Sequence, residues 1–234
     1  MIAVLASGPG SNFEALAQYF KGQIQVLICN VEKAKVLELA KQYEIPSLLI
    51  PHKNFKTRGG HEIEIIENLK KFPQIKIVVL AGYMRVLSPT FFQYFRGMDP
   101  AVSPKGSPRD DNKNNAIKII NLHPAHLDEY KGAHAFEFAV ENKFPRWGIS
   151  VHKVTEELDS GELLNSVEFP IYPYETVAHL KQRTKVYEHQ ILIQTVEELL
   201  QPPTEVGGIE FGTRVEKQPG PEGPGFLPIV KKEK

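Results

Sequence analysis

Cysteine is nearly absent from this 234-residue chain: Cys29 is the only one. That excludes an intrachain disulfide and leaves no thiolate set for a cysteine-based zinc site. It fits a reducing compartment. Charge of one sign is not in excess either, since Lys+Arg and Asp+Glu both total 28. The chain as a whole therefore has no net field to hold it on nucleic acid or on an acidic membrane surface. Long apolar runs are missing too. The first, Met1–Ala6, has no basic leader and turns at once into a glycine loop, unlike a signal peptide or a membrane span. These absences predict a cytoplasmic protein with no metal, no nucleic acid and no membrane among its partners.

A further absence concerns the loop Ser7-Gly-Pro-Gly-Ser-Asn12. It lies between a first apolar strand and a first helix, where a dinucleotide fingerprint would stand. The third glycine of such a fingerprint is replaced by Phe13, and no carboxylate ends the second strand, which reads Cys29-Asn30. Small residues ahead of a helix N-terminus still let backbone N–H groups approach an anion. A monophosphate site needs no more than that; a tight turn into a capped helix is the plainer alternative.

What the chain does contain is an alternation of short apolar runs and longer amphipathic stretches, the pattern of a parallel sheet covered by helices. Strands are predicted at Ile2–Ala6, Gln25–Cys29, Ser47–Ile50, Ile75–Ala81, Ile117–Leu122, Ile149–Thr155 and Leu163–Phe169. Helices are predicted at Asn12–Phe20, Lys33–Tyr43, His61–Lys71, Ser88–Phe95, His134–Asn142 and Thr176–Leu200. The fold class is α/β: one Rossmann-like domain over residues 1–200, its mostly parallel sheet flanked by helices on both faces. Length and the 41% hydrophobic content suffice for such a core. Residues 96–115, rich in Pro, Asn and Lys, read as a surface insertion. Residues 201–234, rich in Pro and Gly, cannot build a core and read as a tail, either disordered or laid over the domain.

Chemistry is expected where Ile117–Ile120 runs into Asn121-Leu-His-Pro124. Ligands of open α/β sheets collect beyond the carboxyl ends of strands, and strand alternation puts residues 121 and 123 on one side. An amide donor beside an imidazole can bind an oxyanion. Asp159, in the turn Leu158-Asp-Ser-Gly161, can pair with His123, raise its pKa and steer a proton. A capping asparagine, a satisfied loop histidine and a turn-forming aspartate are the plain alternatives.

Several segments together resemble the formyltransferase superfamily, and within it most closely the folate-dependent phosphoribosylglycinamide formyltransferases. They are Leu5–Leu16, Leu80–Pro89, Ile120–Pro124, Tyr130–Gly132, Gly148–His152, Leu158–Gly161 and Glu188-His189, in family order across residues 1–200. The resemblance implies that 10-formyltetrahydrofolate is the co-substrate and glycinamide ribonucleotide the acceptor. It implies that Asn121 and protonated His123 stabilise a tetrahedral oxyanion, while Asp159 keeps His123 charged and, with an ordered water, moves a proton. Gly10, Ser11 and Asn12 would hold the substrate phosphate, and Lys185 and Glu188 the ribose phosphate; an exposed salt bridge is the alternative for the last pair. Met84, Arg85, Val86 and Leu87 would form the pteridine-reading segment, although Met84 and Leu87 also suit a core. His152 would lie near the folate, or simply be buried beside Val151.

The chain departs from the family pattern after His123-Pro124, where Ala125-His-Leu-Asp128 replaces Ser-Leu-Leu-Pro. His126 and His134 are expected to face solvent. A tRNA formyltransferase or a formyltetrahydrofolate hydrolase would normally carry an extra C-terminal or N-terminal domain. Two readings outside this chemistry are a non-catalytic phosphometabolite-binding module and, more distantly, a nucleotide-dependent oxidoreductase. A homodimer is left open by the sequence.

Overall fold

The segment Ile2-Ala-Val-Leu-Ala6 is apolar at every position, so as a strand it must be covered on both faces. In the computed structural model, which describes residues 1–96, 117–201 and 229–231, it forms β1 (Ile2–Ala6), buried throughout. Around it β2 (Ile24–Cys29), β3 (Ser47–Leu49), β4 (Ile77–Leu80) and β5 (Lys118–His123) pair in parallel. Then β6 (Arg146–Lys153), β7 (Leu163–Pro170) and β8 (Ile229–Lys231) join antiparallel. Among the described residues the order is β3-β2-β1-β4-β5-β6-β7-β8, one eight-stranded sheet.

Period-two alternation divides the interior into two cores. Ile2, Val4 and Ala6 face one, with α1 (Ser11–Tyr19), α2 (Lys35–Gln42), α5 (Ala135–Glu141) and α6 (Val177–Leu200). Ala3 and Leu5 face the other, with α3 (Arg58–Leu69) and α4 (Pro89–Arg96). The expected helix-covered α/β architecture is therefore present. Phe13, at the position where a dinucleotide loop needs glycine, is fully buried in the first core. Its burial contributes roughly 1.5–3 kcal/mol, which turns a missing fingerprint residue into a core anchor.

Element ends differ from the sequence expectation for local reasons. The strand predicted from Ile75 begins at Ile77, because the Ile75 N–H is used in a turn to the Phe72 carbonyl. Helix α3 starts before His61, at Arg58, since the Thr57 hydroxyl accepts from Gly60 N–H and caps it. Within α3, Ile63 is half exposed whereas Ile65, Ile66 and Leu69 are buried. The 96–115 insertion lies outside the described residues except for Arg96.

Most of the tail also lies outside them, but residues 229–231 add β8 to the edge of β7. Backbone pairing, which needs no aliphatic core of its own, is what ties this part of the chain to the domain. Because β6 and β7 stand between β8 and β5, truncation after Gln201 is expected to leave turnover unchanged and to lower the melting temperature slightly. A turnover lost together with the tail would show that these residues reach the site.

Candidate active site

The ends of β4 and β5 and the start of α1 border a cavity of about 640 Å³. On the β1 side the chain must turn sharply into α1, and Gly10, with φ +88°, makes that turn. A Cβ there would lie 2.7 Å from Val36 Cγ2, so both the backbone conformation and the approach of α2 require glycine. Gly10 thereby aims the N-terminus of α1 at the cavity, while Ser11 and Asn12 themselves line it.

Helix α6 contributes Lys185 and Glu188 to the same lining. Asn12 Nδ2 donates to Glu188 Oε2 at 2.9 Å, tying α1 to α6. Burial raises the pKa of the half-buried Glu188 carboxyl, against the opposing Asn12 hydrogen bond and Lys185 charge. Asn12 Oδ1 is buried without a partner among the described residues. A helix N-terminus facing a lysine is a place where an anion gains from both dipole and charge. Two further cavity residues, Lys181 and Glu137, form an ion pair at 2.6 Å beside it; nothing in the sequence pattern singles them out.

The centre of the cavity is the end of β5. Asn121 pairs across the sheet with His152 of β6, and both side chains meet Asp159 from the β6–β7 turn. Asn121 Nδ2 lies 3.2 Å from His152 Nε2 and 3.5 Å from Asp159 Oδ1. His123 Nδ1 lies 3.5 Å from Asp159 Oδ2, with both side chains about 95% buried. The three candidate catalytic residues are thus in one cluster, and His152 is a fourth member, buried and at the site at once.

Backbone groups complete the cluster. The Tyr130 carbonyl is 2.9 Å from His123 Nε2 and can only accept, so Nε2 carries a proton. The other nitrogen, Nδ1, then holds a proton only in the imidazolium form, and that proton points at Asp159. Gly132 N–H donates to Asp159 Oδ2 at 2.8 Å. Asp159 itself has φ +46°, a left-handed conformation uncommon outside glycine, asparagine and aspartate. Tyr130-Lys-Gly132 matches the family in sequence, but these contributions come from main-chain atoms and have no side-chain signal.

Asp159 raises the pKa of His123 as the sequence predicts, but burial outweighs that contribution and the net shift is downward. Desolvation lowers the His123 pKa from its ordinary value, and the Asp159 charge and Tyr130 carbonyl restore only part of it. For Asp159 the balance is the reverse. Burial opposes ionisation, yet the His152 hydrogen bond, the His123 charge and the Gly132 N–H together hold the carboxyl below the usual range. At neutral pH the site's own groups therefore give a carboxylate beside a neutral imidazole. The hydrogen bonds suit the cation, and a negative charge arriving in the cavity would favour it.

The third wall is the loop after β4. Met84 N–H donates to Ser7 Oγ at 2.9 Å, and Ser7 Oγ in turn donates to Asn30 Oδ1 at 2.6 Å. Met84 is 71% exposed and so is not core, whereas Leu87 is buried in the second core while bordering the cavity. Arg85 and Val86 line it as well, and Leu80, Val154 and Leu158 make this end apolar enough for a flat ring. Of the candidate site residues only Gly10 does not line the cavity. His134 is exposed as expected. His126 is not: only 24% of its side chain is exposed, and its ring lies against Gly148.

An α/β sheet with this cluster at its strand ends belongs to a known class: the chain is a member of the formyl transferase family, whose model matches residues 1–101 and 113–196. Among its relatives, the phosphoribosylglycinamide formyltransferase of Dictyostelium discoideum is 35% identical over 211 residues, covering 83% of this chain and 95% of that one. The phosphoribosylglycinamide formyltransferase of Bacillus subtilis is 31% identical over 203 residues, covering 85% and 93%. The crystal structure of the Streptococcus pneumoniae phosphoribosylglycinamide formyltransferase superposes with a TM-score of 0.73 at 30% identity, covering 86% of this chain and 98% of that one. Among the described residues, no helix is long and apolar enough to cross a membrane.

Proposed function

We propose that this chain transfers the formyl group of 10-formyltetrahydrofolate to the amine of glycinamide ribonucleotide, in de novo purine synthesis in the cytoplasm. The observation that carries the reading is the placement of Asn121, His123 and Asp159 in the same cavity as the α1 N-terminus and Lys185. One end suits a phosphate, the middle suits a developing oxyanion, and the Met84–Leu87 end suits the folate ring.

In this reading the acceptor amine attacks the formyl carbon and forms a C–N bond. The formyl oxygen becomes an oxyanion that accepts from the Asn121 amide and is stabilised by the nearby charge of His123, whose two ring nitrogens face the Tyr130 carbonyl and Asp159. As that charge grows, it raises the proton affinity of His123, so Nδ1 takes up the proton that the amine gives up through water, and the imidazolium forms when it is needed rather than before. Asp159 stabilises the cation on its Nδ1 side. Collapse breaks the bond to the folate nitrogen, which takes up the proton that the amine has lost. The small-molecule partners are the ribonucleotide and the folate; a homodimer would need its own test by sedimentation.

Glycinamide ribonucleotide is expected to bind about ten- to a hundredfold more tightly than its dephosphorylated form, because charge-assisted contacts to an anion contribute roughly 1.5–3 kcal/mol. Calorimetry with the two compounds measures this directly. Equal affinities would remove the phosphate from the α1 end. A formyl-transfer assay with a panel of amines then tests the acceptor.

A further inference from the structure

The segment that departs from the family pattern, Ala125–Asp128, also holds the turn that reaches the catalytic histidine. Ala125 is fully buried, and the Pro124 carbonyl accepts from Trp147 Nε1 at 2.8 Å. The His126 carbonyl accepts from the N–H groups of Glu129 and Tyr130 at 3.0 and 3.2 Å, closing one helical turn. Tyr130 then places its own carbonyl on His123 Nε2.

What seats this turn on the sheet is the His126 side chain. A Cβ built on Gly148 of β6 would lie 2.2 Å from His126 Nε2, so the imidazole occupies the volume that any other residue at 148 would fill. Glu168 Oε2 of β7 lies 3.9 Å from the same nitrogen, and Glu168 also pairs with Arg146. An ion pair at that distance and exposure contributes little. The packing of the ring on Gly148 contributes more.

We propose that His126 is a positioning residue: its ring, seated on Gly148, holds the 126–130 turn so that the Tyr130 carbonyl keeps the proton of His123 on Nε2 and leaves Nδ1 for Asp159. The proposal rests on the formyl-transfer reading for its kinetic consequence, but not for its geometry. The groups facing His123 are Asp159, His152 and the Tyr130 carbonyl; those around His126 are Glu168 and, through it, Arg146.

The test uses the full chain, nitrogen-15 NMR of the histidines and the pH dependence of turnover. His126→Ala is expected to lower kcat about tenfold, a fraction of the loss that a 1 Å misplacement brings, with KM for both substrates unchanged. The His123 titration should move to lower pH, because an acceptor of its Nε2 proton has been withdrawn. His126→Phe, which keeps a ring in the seat, should restore both. Gly148→Ala, which pushes the ring out from the other side, should reproduce the loss. A His126→Ala protein with wild-type kcat, or with an unshifted His123 titration, would overturn the proposal. Absence of formyl transfer in the wild type would overturn only the functional reading, since the His123 titration still decides the positioning.

Discussion

Replacing Asp159 by asparagine is expected to lower turnover about a thousandfold, in the range that one positioned acid–base group contributes, while the protein stays folded. Folding should survive because asparagine tolerates the φ of +46° at this position as well as aspartate does. Its amide oxygen can also still accept from Gly132 N–H. The loss is in the charge balance at His123. With the amide oxygen in the Oδ2 place, which both Gly132 N–H and His123 Nδ1 face, the imidazole meets a neutral acceptor instead of a charged one, so the cation loses its counter-charge. With the Asp159 charge gone, the burial that already lowers the His123 pKa acts with less opposition. The pH window in which the cation can form during turnover should therefore shift downward. Measuring kcat against pH for both proteins checks this; near-normal turnover at neutral pH would remove Asp159 from the mechanism.

Gly161→Ala is expected to be nearly as damaging by a different route. A Cβ at 161 would lie 1.8 Å from the Lys153 carbonyl oxygen, and the obstacle is backbone, not a side chain that can swing aside. The two strands are joined there, since Lys153 N–H donates to the Glu162 carbonyl at 2.9 Å. Making room means opening the end of the β6–β7 hairpin, an overpacking cost of about 1–3 kcal/mol. Asp159 sits two residues away in the same turn. A shift of about 1 Å there would cost roughly a hundredfold in turnover. Thermal unfolding and kcat measured together distinguish a lost fold from a displaced carboxylate. A variant with both at wild-type values would show that the turn relaxes freely.

Where the sequence and the structure part company, the reason is the range of the interaction. Period-two alternation along Ile117–His123 is enough to put Asn121 and His123 on one face, and the structure agrees. The same rule cannot say which residue of a distant hairpin they meet. That depends on the antiparallel register Asn121↔His152 and on the left-handed turn at Asp159. His152 is legible only as buried or near a ligand, because a strand histidine has the same local signature in both cases. His126 reads as solvent-facing from its neighbours and is not, since the space that accepts its ring is made by the absence of a side chain at Gly148, 22 positions away.

The sequence by itself determined the helix-covered sheet, the two-core alternation, the glycine turn into α1 and the residue types of the site, because these follow from neighbours along the chain. The tertiary structure alone decided how buried His123 is, and hence that its pKa is pulled down despite its carboxylate partner. Desolvation is a property of everything packed around a group, and no local pattern carries it.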